Sequence, residues 1–280
     1  MPGQVRHARR TFSILSVPAA IIGRMHQFDE GFEPPEDCVL WCRNRTYDIH
    51  VLDDDALVDL DWWNRHLHEA EHDIRLRGRN YDGKVVEHGQ ATVLRNDLRL
   101  GSDLIEARHN GLGLLFLCAA WRSGHTRRRG ARRFPDLSNR FVADGVQRYA
   151  GAMGAIDELI RLKRLPDYDY TTGTGWPALP NVGVALTTVL AWALDIRAAG
   201  GRVQLLDQHG VSTLIHQGWL EDPAVSGFTR RRYDRYLELL HHWATVGDTS
   251  PELVERWLVE RWHARVVEAR SGASAEPMLF

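Results

Sequence analysis

Cysteine and lysine are both scarce in this chain of 280 residues. Cys38, Cys42 and Cys118 are the only cysteines, too few for a disulfide framework or for a four-cysteine iron–sulfur cluster. Lysine occurs only at Lys84 and Lys163, so nearly all the positive charge is arginine. No apolar run is long enough to span a bilayer, which excludes a membrane-spanning helix, and no membrane partner is expected. A mildly apolar stretch at residues 12–22 follows Arg6, Arg9 and Arg10, but Pro18 interrupts it. With no small-residue cleavage site after it, the stretch is read as part of the fold, and the cytoplasm is the expected location. The net charge of −2 shows no overall bias towards a polyanion.

What is present is an ordinary globular composition, 44% hydrophobic and 26% charged, with enough length for a real core. Positive charge is unevenly placed. Arg122, Arg127, Arg128, Arg129, Arg132 and Arg133 form a run without an acidic residue, and Arg230, Arg231, Arg232 and Arg235 form another. Guanidinium groups suit bidentate contact with phosphate, although such runs also occur as plain solvated surface. Short apolar runs at 12–17, 38–41 and 47–52, separated by turn formers, suit short strands. Residues 56–76 have helical character. From residue 110 onward helical periodicity dominates, with helices expected over 112–123, 134–149, 155–162, 183–194, 208–217, 233–245 and 251–267. Ser250 and Pro251 supply N-cap and N1 for the last of these. The expected class is mainly α with a small irregular or β-containing N-terminal part. The expected organisation is 1–109, 110–268 and a tail at 269–280.

Two motifs suggest chemistry. The first is Leu179-Pro180-Asn181-Val182-Gly183-Val184-Ala185, a tight turn opening an apolar helix. A helix N-terminus exposes unpaired N–H groups and the positive end of the helix dipole, and is a ready anion site. Glycine there lets a phosphate approach without a side chain in the way. After a second turn at 198–201, Leu205-Leu206-Asp207-Gln208-His209 places a carboxylate behind an apolar stretch and at the head of another helix. Asp207 can equally be an ordinary N-cap there. The second motif is His68-Glu69-Ala70-Glu71-His72, which matches the H-E-x-x-H zinc pattern. On a helix, His68 and His72 would share a face and Glu69 could serve as base, giving a metallopeptidase. Glu71 places a charge where such helices are apolar, and no third ligand is signalled.

Residues 179–194 resemble the hairpin and second helix of the helix-hairpin-helix DNA glycosylase superfamily, and residues 205–209 resemble its catalytic aspartate segment. The likeness extends over about residues 110–265. It implies a DNA glycosylase acting on duplex DNA, with Asp207 catalytic and with Pro180, Asn181, Val182, Gly183, Ala185 and His209 near the DNA backbone. Arg127, Arg128 and Arg129 would add phosphate contacts. Trp121, His125, Tyr236 and Trp243 are the candidates for wedge or base pocket. The family uses a potassium or sodium ion at the hairpin, and no organic cofactor is implied. Its 8-oxoguanine branch carries a lysine where Ala185 stands here, and alanine cannot form a Schiff base. A monofunctional enzyme is therefore expected. A helix-hairpin-helix DNA binder without chemistry and the zinc peptidase remain alternatives, and no obligate protein partner is legible.

Overall fold

The structure is a computed structural model that describes residues 29–128, 133–138, 149–167, 175–198 and 201–273. The chain is mainly α-helical, with a small antiparallel sheet in its N-terminal part. Two of the expected strands take other forms. Helix α1 (Glu36–Arg43) turns Cys38 and Cys42, one turn apart, into the core. Residues Asp48–Leu52 form a single π-helical turn. The run at 12–17 lies outside the described residues.

The segment expected as helix over 56–76 divides. Strand β1 (Asp55–Asp59) buries Ala56 and Val58, and helix α2 (Leu60–Glu69) follows, capped by the Asp59 carboxylate on the Trp62 N–H at 3.0 Å. Strands β2 (Gly78–Arg79), β3 (Val85–Val86) and β4 (Gln90–Leu94) complete the sheet in the order β1-β4-β2-β3, with Asp55 opposite Leu94. Helix α3 (Asn110–Gly124) is apolar throughout its centre, and residues 114 to 121 are all buried. That continuous apolar surface marks a helix enclosed on all sides. Beta-strand β1 lies on one side of it. At Gly124 a Cβ would come within 2.3 Å of the Leu57 carbonyl oxygen, so only glycine lets helix and strand approach this closely.

Helix α4 (Ala150–Leu162) and helix α5 (Val184–Ala193) pack on α3. A short hairpin, β5 (Arg197–Ala198) and β6 (Gly201–Arg202), leads to α6 (Gln208–His216). Helices α7 (Arg230–Gly247) and α8 (Pro251–Ala273) close the molecule, α8 lying against both α6 and α7. The Ser250 hydroxyl accepts the Leu253 N–H at 3.2 Å, as its N-cap position requires. One core cluster runs from Cys38 to Leu258 and joins side chains from both sides of residue 109. Of the helix expected at 134–149, residues 134–138 are not helical and 139–148 lie outside the described residues.

Candidate DNA-facing cleft and catalytic carboxylate

The turn before α5 is built by its own backbone. The Leu179 carbonyl accepts the Val182 N–H at 3.3 Å, and Asn181 takes a left-handed conformation with φ of 56°. The Asn181 amide donates to the Asp136 carbonyl at 2.7 Å, tying the turn to the segment at 133–138. Gly183 is the N-cap of α5, extended at φ −72° and ψ 156°, and no side chain caps the helix. The described residues just before the turn, 175–178, are not helical.

Gly183 is exposed, its φ is ordinary, and a Cβ built on it meets no atom within 4 Å. Neither backbone strain nor internal packing explains glycine there. The missing side chain leaves the first N–H groups of α5 open to a cleft of about 820 Å³. Ala119, Arg122 and Ser123 of α3 line one side, Gly183, Val184 and Ala185 another, and Arg133, Phe134 and Gln208 contribute to the rest.

Asp207 lies beside this cleft, next to Gln208, and is 2% exposed. The segment before it, residues 204–206, is held by three side chains. The Thr188 hydroxyl of α5 accepts the Leu206 N–H at 3.0 Å. The Tyr233 hydroxyl donates to the Gln204 carbonyl at 2.6 Å and accepts the Gln204 N–H at 3.1 Å. The Tyr236 hydroxyl donates to the Leu205 carbonyl at 2.9 Å. Asp207 caps α6 with one oxygen only, Oδ1 accepting the His209 N–H at 2.8 Å. Its Oδ2 is buried and, among the described residues, has no hydrogen-bond partner. Capping thus accounts for half of the carboxylate and leaves the other half unexplained by the fold.

Several residues singled out from the sequence stand elsewhere. Tyr236 is fully buried behind the Asp207 segment, not in a base pocket. Trp243 is fully buried, its indole N–H donating to the Phe32 carbonyl at 2.7 Å. Trp121 is fully buried and donates to the Asp54 carbonyl at 3.0 Å, so it is no wedge. His125 is 5% exposed and faces the Asp54 carboxylate, Nε2 to Oδ1 2.7 Å. Arg128 is buried between Asp54 and Glu255 and is unavailable to a phosphate in this arrangement. Arg127 is half exposed and pairs with Glu260 at 3.3 Å, whereas Arg129 lies outside the described residues. In the second arginine run, Arg230 pairs with Asp234, Arg232 with Glu221, and Arg235 with Asp29 and Glu221. Of that run Arg231 is the exposed member.

The zinc alternative does not survive the fold. Helix α2 ends at Glu69, and Glu71 has φ of 60°, so His68 and His72 are not one helical turn apart. His72 is buried against the rings of Phe116 and Tyr149, and burial lowers its pKa to about 4. Among the described residues no group of three His, Cys, Asp or Glu side chains could hold a metal ion.

Two features of the cleft were not singled out as site residues in the sequence. Arg122 lines it with a largely buried guanidinium; burial lowers its pKa, and Asp207 is the nearby charge that opposes the shift. Phe134 lines it as well and belongs to an aromatic stack, with His66 at 5.8 Å and Trp62 on His66 at 3.9 Å. Trp62 and His66 are four residues apart on α2, the one local signal for the stack.

A model of the family described as "Putative 8-oxoguanine DNA glycosylase OGG-like protein" matches residues 50–259. That span is three quarters of the chain, and the chain belongs to this family. Comparisons with curated proteins and with solved structures give no match. No helix among the described residues is long and apolar enough to cross a membrane.

Proposed function

We propose that the protein is a monofunctional DNA glycosylase, which extrudes a damaged or modified base from duplex DNA and hydrolyses its glycosidic bond. The observation that carries this reading is the buried, half-unpartnered Asp207 beside a cleft whose wall is an uncapped helix N-terminus. In the proposed complex the N–H groups at the head of α5 hold a DNA phosphate, with the helix dipole adding to the attraction. Arg133, exposed on the cleft, adds a charge contact. The hydrogen bonds of the turn use the carbonyls of Leu179 and Gly183. The remaining carbonyl oxygens, of Pro180, Asn181 and Val182, are the hard ligands that would hold a potassium or sodium ion. Such an ion would supply positive charge next to the phosphate.

The base must leave the stack before its glycosidic bond can be reached. Phe134 and the rings behind it offer a face on which an extruded base can stack. As the bond breaks, the sugar gains oxocarbenium character, and the Asp207 carboxylate stabilises that charge through Oδ2 and orients the attacking water. No amine nucleophile is involved. Ala185 stands on the cleft where the related lyases carry lysine, and the Lys163 ammonium donates to the Leu194 carbonyl at the opposite end of α5. Duplexes carrying oxidised, alkylated, deaminated and mismatched bases, each read with and without alkali, identify the base. Strand scission only after alkali supports the proposal. Scission without alkali contradicts the monofunctional mechanism, and release from none of the duplexes with binding preserved favours the non-catalytic DNA binder.

A further inference from the structure

The basic run after α3 conceals a connection between the sheet and the candidate catalytic carboxylate. Asp54, just before β1, is 4% exposed, and its carboxylate meets His125, Arg128 and Arg256. The His125 ring donates from Nε2 to Asp54 Oδ1 at 2.7 Å. Its Nδ1 accepts two backbone N–H groups, from Arg127 at 3.1 Å and from Arg128 at 3.2 Å. An imidazole can play both parts only as the neutral Nε2–H tautomer. The turn so fixed presents the Arg127 carbonyl to His209 Nδ1 at 2.9 Å. A carbonyl only accepts, so His209 donates from Nδ1. The His209 backbone N–H in turn reaches Asp207 Oδ1 at 2.8 Å. An unbroken path of hydrogen bonds therefore runs from Asp54 to Asp207, through residues 71 positions apart in sequence at its first step.

The geometry points to His125 as a positioning residue for Asp207: by accepting the N–H groups of Arg127 and Arg128 it fixes the Arg127 carbonyl that orients His209, and through His209 the cap that aims Asp207 Oδ2. This rests on the glycosylase reading for its consequence in rate, though not for its geometry. His125 touches no part of the cleft itself. Its role is separable from its hydrogen bond to Asp54, because the two ring nitrogens do different work. Burial lowers the His125 pKa, as do Arg128 and Arg256, while Asp54 opposes the shift; the neutral ring the path needs is the favoured one.

Two substitutions divide the ring. In His125→Asn the amide oxygen overlays Nδ1 and keeps the turn, but nothing reaches Asp54. In His125→Gln the amide nitrogen overlays Nε2 and keeps Asp54, but both backbone N–H groups lose their acceptor. Single-turnover base release on a duplex the wild type processes should fall about tenfold to a hundredfold in the Gln variant, as expected of a slightly misplaced catalytic group. It should stay within about threefold of wild type in the Asn variant. Affinity for a duplex carrying a tetrahydrofuran abasic analogue should be unchanged in both. Equal losses in the two variants, or a larger loss in the Asn variant, would overturn the assignment. The ¹⁵N spectrum of the wild-type histidines reads the same path without activity or mutation. His125 protonated at Nε2 and His209 at Nδ1 are expected, and His209 protonated at Nε2 alone would break the path. If no duplex releases a base, the glycosylase reading fails, and the tautomers still decide whether the path exists.

Discussion

At the scale of single residues, the division of labour within Asp207 matters most. Oδ1 belongs to the fold and Oδ2 does not. An aspartate at a helix start was legible in the sequence as cap or catalyst; the structure shows the cap and leaves Oδ2 for the catalytic role proposed. Thr188 supports it from α5 by accepting the Leu206 N–H and donating to the Ala185 carbonyl at 2.9 Å. Thr188→Val keeps the shape and leaves a buried N–H without a partner, which costs about 1–3 kcal/mol. Denaturant unfolding should show that loss as a lower midpoint with an unchanged slope. An unchanged midpoint would mean the Leu206 N–H finds another acceptor. Three of the residues misjudged from the sequence share one cause. Trp121, His125 and Arg128 owe their surroundings to Asp54 and Glu255, at positions 54 and 255, and local spacing carries no trace of such partners.

At the scale of elements, the hairpin that opens α5 is the most informative. Its Leu-Pro-x-Val-Gly pattern was legible because a turn and an N-cap are local features. What the sequence left open was why the cap is glycine. The structure removes both internal reasons, conformation and crowding. Gly183→Ala should therefore leave thermal stability within about 0.5 kcal/mol, since the lower unfolded-chain entropy of alanine and its poorer fit to the N-cap act in opposite directions. The same change should weaken duplex binding about tenfold, the size of one lost charge-assisted contact. Titration of a fluorescent duplex would show it, and unchanged affinity would remove the phosphate from this helix. The strand expectations at 38–41 and 47–52 failed for a different reason. Runs of four to six apolar residues fit a strand or one buried helical face equally, and Cys38 and Cys42 at helical spacing take the second option.

At the scale of the whole molecule, a buried network of charges joins the N-terminal sheet to the last helix. Arg95 pairs with Glu255 at 3.1 Å, Arg128 bridges Glu255 and Asp54, and Arg256 links Asp54 to Glu260. Burial opposes ionisation of Asp54, yet His125, Arg128 and Arg256 hold its pKa below the ordinary value. The network takes Arg128 out of the basic run and into the interior, together with Arg95 and Arg256, while Arg127, Arg133 and Arg231 stay exposed. Mean composition does not reveal this, because Arg95, Arg128 and Arg256 each reach a carboxylate far away in sequence. Stability should depend on pH through the buried histidines. His72, at about 4, and His125, also lowered, stay neutral in the native state where the unfolded chain, near 6.5, takes up protons. The unfolded state then binds more protons, so stability falls as pH drops from about 6.5 towards 4. Urea midpoints at pH 7.5 and 5 should differ in that direction, and an equal or higher midpoint at pH 5 would contradict the neutral assignment of both rings.

The reading as a glycosylase depends in the end on one carboxylate oxygen. Asp207→Asn keeps an oxygen for the His209 N–H and removes the charge, so folding and duplex binding should persist. Single-turnover base release on the substrate found with alkali should fall by about a hundredfold to a thousandfold, the range for losing one preorganised electrostatic group. An Asp207→Asn protein that folds, binds the abasic-analogue duplex and still releases the base at the wild-type rate would contradict the central claim.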